Sequence, residues 1–371
     1  MPARAAPPET SDCRVTLLSV SPLELTLRLQ PQARYDVIDV RQRAREEQGG
    51  ALDEYPRALY CSYHTTAGYL EQSLLARLRN SRQYVDPFMG MFQRVFPPGA
   101  DYRHDQLDLR TELSEEERRL EPLNADSHLV GMAAGLRNCA TYVHRETAPV
   151  LFIDLDGVVP GGTRERKTTV LAYHREEAVA TWEIALPVSP HTVDSLNLRD
   201  PRLGFFDELS AAVRREGVEH GRLDVQLERN ERHVGLTVNE YETLLMQHDV
   251  AEVLREPVRF MMAKGRNMLR DPRTVPAKTL NYAKYDLVHL FNEAMDKLHV
   301  SESALERMLS RLLAVPAERF LRMKRAVSIP VSLTSGRDGL LYGTYQSPIL
   351  VQWRKAEGQQ RRVRVTLTRF L

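Results

Sequence analysis

The stretch HVGLTVNEYE (233–242) combines a tight glycine, a short apolar step and an Asn-Glu pair in one run. The histidine and threonines expected just before such a glycine stand about 170 residues earlier, in YHTTAGYLEQ (63–72). There the Asn-Glu positions are held by Gln72 and Ser73. Two halves of one motif, in two places, imply two related segments within a single chain.

The bulk properties leave room for that. At 371 residues the chain is too long for one ordinary core and suits two domains. Lys and Arg total 51 against 50 Asp and Glu, a balance that argues against a generic nucleic-acid or membrane binder. No apolar run approaches the ~20 residues that cross a bilayer. Residues 1–13 lack the apolar core of a signal peptide and are expected to form a disordered lead. Cys13, Cys61 and Cys139 are widely spaced, without a CxxC pair, so a reducing cytoplasm is the expected setting. Cys61 and Cys139 read as small buried apolar residues.

Working outward from the two stretches, the same order of elements appears twice. In residues 14–176, RVTLLSV and LELTLRL alternate as half-buried strands, and DVIDVRQRAREEQGG reads as a helix stopped by glycine. RALYCSYHTTAG is a strand running into a turn at Gly68. Leu70, Leu74 and Leu78 then give a helix with one apolar stripe. LSEEERRLEPL reads as a short solvated helix, VLFIDLDG as a buried strand, GVVPGGTRERK as a turn and TTVLAYH as the closing strand. In residues 177–371, ATWEIALPV is a strand. GFFDELSAAVRREGVEHG is a helix with Phe206, Leu209 and Val213 on one face, and RLDVQLE is a strand. A helical region is expected over about 240–325, with Ser303 and Glu306 as a capping box. AVSIPV, GLLYGTYQSPILVQW and RRVRVTLTRF end the chain as strands. The expectation is a diverged tandem duplication, α+β in class, rather than a solenoid, whose repeats are far shorter.

HTTAG (64–68), YRHD (102–105) and NADSHL (124–129), in that order, resemble the YjbQ-like family, also called the secondary thiamine-phosphate synthase family. The second half resembles the same family through GLTVNE (235–240), VSIPV (327–331) and LLYGTYQSPILV (340–351). The resemblance implies two α+β domains with strongly bent β-sheets flanked by helices, often assembled as a homo-oligomer. It also implies a histidine-lined pocket and a weak thiamine-phosphate synthase activity. The chain departs from the pattern in both halves. HRET (144–147) replaces the Gly-Thr-aromatic-Gln stretch in the first half, and ERHVG stands in place of HTTAG in the second.

His64, His104 and His128 are the candidate metal ligands. Three neutral imidazoles would leave an open position on a divalent ion, zinc above all. Asp105 and Asp126 would orient the rings. Thr65 and Thr66 follow His64 into a turn that would cradle a phosphate, or merely pair with its own backbone. Asn124 reads either as a substrate contact or as a helix cap. Arg164 and Arg166 read either as phosphate clamps or as a solvated hairpin. Asp154 and Asp156 form a candidate acid/base pair at a strand end. In the second half Asn239, Glu240, Tyr345 and Gln346 look out of place as mere structure.

The two motif halves suggest one composite site at the domain interface. His64, His104 and His128 would come from the first domain, Asn239 and Glu240 from the second. The leading expectation is an enzyme, or the relic of one, acting on a small phosphorylated molecule. The rival is a non-catalytic ligand-binding or oligomeric assembly protein.

Overall fold

The computed structural model describes residues 21–240 and 323–371, apart from residues 101, 103, 110–113, 147, 160 and 191–193. The first sequence strand expected, at 14–20, and the helical region expected over 240–325, with its Ser303–Glu306 box, fall almost wholly outside the described residues.

The first half runs β1 (Leu23–Leu29), β2 (Asp36–Asp39), α1 (Val40–Gln48), β3 (Arg57–Ser62) and β4 (Ala67–Tyr69). Helices α2 (Gln72–Arg77), α3 (Arg82–Val95), α4 (Glu115–Leu120) and α5 (Ala125–Ala134) follow. The half closes with β5 (Cys139–Val143), β6 (Leu151–Asp154), the small hairpin β7 (Val158–Val159) and β8 (Gly162–Thr163), and β9 (Arg166–Tyr173). The second half runs β10 (Glu176–Pro187), β11 (Asp194–Asn197), α6 (Phe205–Glu216), β12 (His220–Leu227) and β13 (Val234–Asn239). It resumes with β14 (Ala326–Ser332), β15 (Ser347–Gln352) and β16 (Gln360–Phe370).

Apart from the small β7–β8 hairpin, the strand pairing of the first half recurs in the second. One four-stranded sheet has the order β1-β9-β3-β5, the other β10-β16-β12-β14. One three-stranded sheet has the order β2-β6-β4, the other β11-β15-β13. All these pairs are antiparallel. In each half three consecutive strand pairs step from the larger sheet to the smaller one across a corner, which is the bend expected of this α+β class. The match extends to single residues. Gly68 faces Ile153 and Gly235 faces Val351, while the next residues, Tyr69 and Leu236, bridge Arg137 and Lys324. An independent arrangement of hairpins has no reason to repeat this register, so the two halves are copies of one fold.

Local chemistry explains where sequence expectation and structure part. DVID is a strand rather than the start of a helix, because the Asp39 carboxylate caps α1 by accepting from the Arg41 and Gln42 N–H groups. The helix ends at Gly49, φ 67°. The leucine stripe at 70, 74 and 78 gives only the short α2. The longer α3 begins after Ser81, whose side chain accepts from the Gln83 N–H. NADSHL enters α5, every residue of which is buried. GLLYGTYQ is a loop, and only Ser347–Gln352 pairs as a strand.

The halves share their interior. Ile349 and Val351 of β15 pack into the core of the first half, with Met323 and Trp353 against it. A separate cluster joins Leu59, Cys61, Cys139, Leu171 and Tyr173 to Leu341 and Phe370, so both cysteines are indeed buried among apolar neighbours. Tyr173 and Phe370 stack with centroids 3.9 Å apart. A fully buried ring of this kind contributes about 1.5–3 kcal/mol. Polar contacts also cross the boundary. Arg137 and Asn138 donate to the Ala326 and Ser328 carbonyls of β14, and Glu24 accepts from Ser332, Thr334 and Ser335. This docking decides which residues meet at the site.

Candidate metal centre between the two domains

Helix α5 brings His128 to the boundary. Asn124 stands at its N-cap position without capping it, and the Asp105 carboxylate accepts the Ala125 N–H at 3.0 Å instead. Asn124 is thereby released for other work. Its amide N–H donates to Asp156 Oδ2 at 2.9 Å, so its oxygen must be the atom facing His104 Nε2 at 3.1 Å. His104 accordingly carries its proton on Nε2, donated to the Asn124 oxygen.

His128 has a matching partner from the other half. Asn239 Oδ1 lies 2.6 Å from His128 Nδ1 and also accepts the Glu240 N–H at 2.8 Å. The amide oxygen therefore takes the Nδ1 proton, and His128 presents Nε2. That nitrogen lies 3.5 Å from the Glu240 carboxylate. The His104 and His128 rings meet edge to face, centroids 5.1 Å apart. One donor atom each from His104, His128 and Glu240 fall within 4.8 Å of one another. Two imidazoles of fixed tautomer and one carboxylate fit a divalent ion such as zinc, and both rings have the outer hydrogen-bond partners that such ligands use.

His64 stands outside this cluster. Its Nε2 accepts the Lys167 N–H at 2.9 Å, so that nitrogen is committed to the backbone of β9. Burial, then the charges of Arg166 and Arg164, lower its pKa to about 3. His64 is neutral, and it lines a cavity with Thr65, His128, Arg137, Asn138 and Asn239. The cavity is small, with an enclosed volume of about 20 Å³, room for a water molecule or an ion.

The other candidates are dispersed. Arg164 pairs with Asp156 at 3.2 Å rather than standing ready for phosphate. Arg166 is buried and holds Asp154 through two hydrogen bonds, 2.6 and 2.8 Å, with Thr66 Oγ1 at 3.4 Å. Asp154 and Asp156 are thus ion-paired, not a free acid/base pair. Asp126 pairs with Arg34 at 2.6 Å. Tyr345 is exposed, Gln346 buried. Arg137 and Asn138 were not singled out by the sequence. Their only signal there is position, just before the strand that follows the histidine helix.

Compared with protein-family models and with curated proteins, the sequence finds no match. Solved structures similar to it include a YbjQ-like protein of unknown function from Sulfolobus solfataricus P2. It is 11% identical, covers 53% of this chain and 99% of its own, and has a TM-score of 0.27. An uncharacterised conserved protein of the yjbq family from Clostridium acetobutylicum is 13% identical, covers 50% and 98%, and has a TM-score of 0.25. A hypothetical protein from Aeropyrum pernix K1 is 16% identical, covers 51% and 98%, and has a TM-score of 0.24. Fold and site define a tandem α+β protein with a histidine–carboxylate cluster between its copies. Each of these neighbours, almost whole, covers about half of this chain. Among the described residues no helix is long and apolar enough to cross a membrane.

Proposed function

We propose that the chain is a metal-dependent enzyme whose single composite centre lies between its two domains and acts on a small anionic, phosphorylated molecule. The observation that carries this reading is the convergence of His104 and His128 from one half with Glu240 from the other, donor atoms within 4.8 Å. A divalent ion bound there supplies Lewis-acid polarisation of a substrate oxygen. The chain's residues do the rest. Asn124, held by Asp156, and Asn239 fix the two imidazole tautomers. Glu240 contributes the negative charge that favours a cation over a bare imidazole pair. Neutral His64 offers its ring at the cavity wall, where Thr65, Arg137 and Asn138 provide donors for an anionic group. In this reading His64 contacts substrate and is not a ligand. The thiamine-phosphate synthase activity implied by the resemblance would be one use of such a pocket, and hydrolysis of a phosphate ester another.

The test is metal content. Protein purified without chelator should hold about one divalent ion per chain, and His104→Ala, His128→Ala and Glu240→Gln should each lose it. The metal-loaded protein should turn over a phosphate-ester probe that the chelated protein leaves intact. If neither purified nor zinc-titrated protein binds an ion, the reading is wrong and a metal-free anion-binding protein takes its place.

A further inference from the structure

The Tyr345–Gln346 pair has no part in the metal cluster, yet Gln346 is 2% exposed at the boundary between the domains. Its side-chain amide donates to the Ser62 carbonyl at 2.9 Å and to the His64 carbonyl at 2.9 Å. Its oxygen accepts the Gly343 N–H at 3.0 Å. All three bonds require the same amide orientation, because a flipped amide would set its oxygen against two carbonyl oxygens. The two acceptors flank Tyr63, so one side chain of the second half grips the first-half backbone on both sides of the residue before His64. Gly343 lies close against that backbone, since a Cβ there would fall 1.9 Å from the Tyr63 carbonyl oxygen. The gripping loop is itself held. The Arg199 guanidinium donates to the carbonyls of Gly343, Thr344 and Gln346 and stacks on Tyr342.

We infer that Gln346 is a positioning residue for His64. Through the His64 backbone it sets the ring so that Nε2 takes the Lys167 N–H and Nδ1 faces Arg166 Nη1 at 3.4 Å. The second domain thus acts on the first at two points: Asn239 orients His128, and Gln346 orients His64. This rests on the composite cavity of the proposed function but not on its metal, so a failed metal assay leaves it standing.

The experiment is ¹⁵N NMR of the histidine rings in the full-length protein, with His64 assigned by its loss in His64→Gln. Wild type should show His64 as a single neutral tautomer down to about pH 4. Gln346→Glu keeps the size of the side chain but replaces two donors with acceptors. In that variant the His64 signals should average between tautomers, and its titration midpoint should rise toward the ordinary histidine range. A role confined to packing would leave those signals where they are. A folded Gln346→Glu protein with an unchanged His64 signature therefore overturns the inference. Should that variant not fold, the wild-type protein still decides. Both Gln346 side-chain amide protons should be protected from solvent exchange, and rapid exchange of either refutes the grip.

Discussion

After Gly235, β13 runs on to Asn239 and Glu240, which reach across the domain boundary to His128. After Gly68, β4 stops at Tyr69, and the corresponding positions hold Gln72 and Ser73. Gln72 turns back into its own half, donating to the Val143 carbonyl at 2.7 Å and accepting the Val143 N–H at 3.0 Å. It behaves as an extra ladder rung. The backbone frame of the two ends is the same, down to the bridges Tyr69–Arg137 and Leu236–Lys324. The difference is therefore chemical. One strand end supplies a carboxylate and an amide oxygen to a neighbour's histidines, and the other spends its amide on its own sheet. A second contrast lies at the first residue of each turn. His64 lines the cavity, whereas Glu231, at the corresponding place, pairs with buried Arg361 at 2.9 Å. The duplicated frame is retained, and a site is assembled from the complementary remains of its two copies.

That comparison breaks most readily at the metal. Glu240→Gln should lower zinc affinity by at least about 100-fold, whereas Ser73→Ala, at the matching position, should leave it unchanged; isothermal titration with zinc would read both. Equal losses in the two variants would erase the asymmetry. Asn239→Ala removes only the orienting acceptor and should cost about 10–100-fold in zinc affinity, with Gln72→Ala again neutral.

The backbone frame gives a third test. A Cβ on Gly68 would lie 2.4 Å from the Arg137 carbonyl oxygen, which the β bridge holds in place. On Gly235 it would meet the Met323 side chain, also at 2.4 Å. Gly68→Ala should cost about 1–3 kcal/mol in urea unfolding. Gly235→Ala should cost a similar amount, because the atom it meets is Met323 Cβ, which moves only with its backbone. The smallest effect concerns the docking of the halves. Glu24 accepts from Ser332, Thr334 and Ser335 and lies 3.2 Å from His220, and its pKa is lowered from 4.5 to about 2 by these bonds against the opposing effect of burial. Since the folded-state value lies below the unfolded one, the contact stabilises above pH 4.5 and is lost as the pH falls through about 2. Acid unfolding of Glu24→Gln should accordingly show a shallower pH dependence in this window than wild type.

Much of the frame was legible in the sequence, because alternation and glycine turns act locally. LELTLRL declares itself a strand by alternating apolar and polar residues, RALYCS and VSIPV read as short apolar strands that are buried almost throughout, and the repeated order of elements announced the duplication. The histidines and the Asn-Glu pair stood out as residue types with little reason to be at strand ends and turns. The sequence alone set these elements and these chemical groups. Only the tertiary structure decided which of them meet. His64, His104 and His128 read alike along the chain. Yet β9 offers a backbone N–H to the first, Asn124 and Asn239 offer side-chain oxygens to the others, and Glu240 completes the cluster from the far half. Arg164, Arg166 and Asp156 looked equally free in one dimension and are ion-paired in three. The physical reason is range. Periodicity and turn chemistry depend on neighbours a few residues away, whereas tautomers, ion pairs and ligand sets depend on groups separated by 20 to more than 100 residues, as in His104–Asn124 and His128–Asn239. Packing brings them together, within one copy for His104 and Asn124 and by the docking of the two copies for His128 and Asn239.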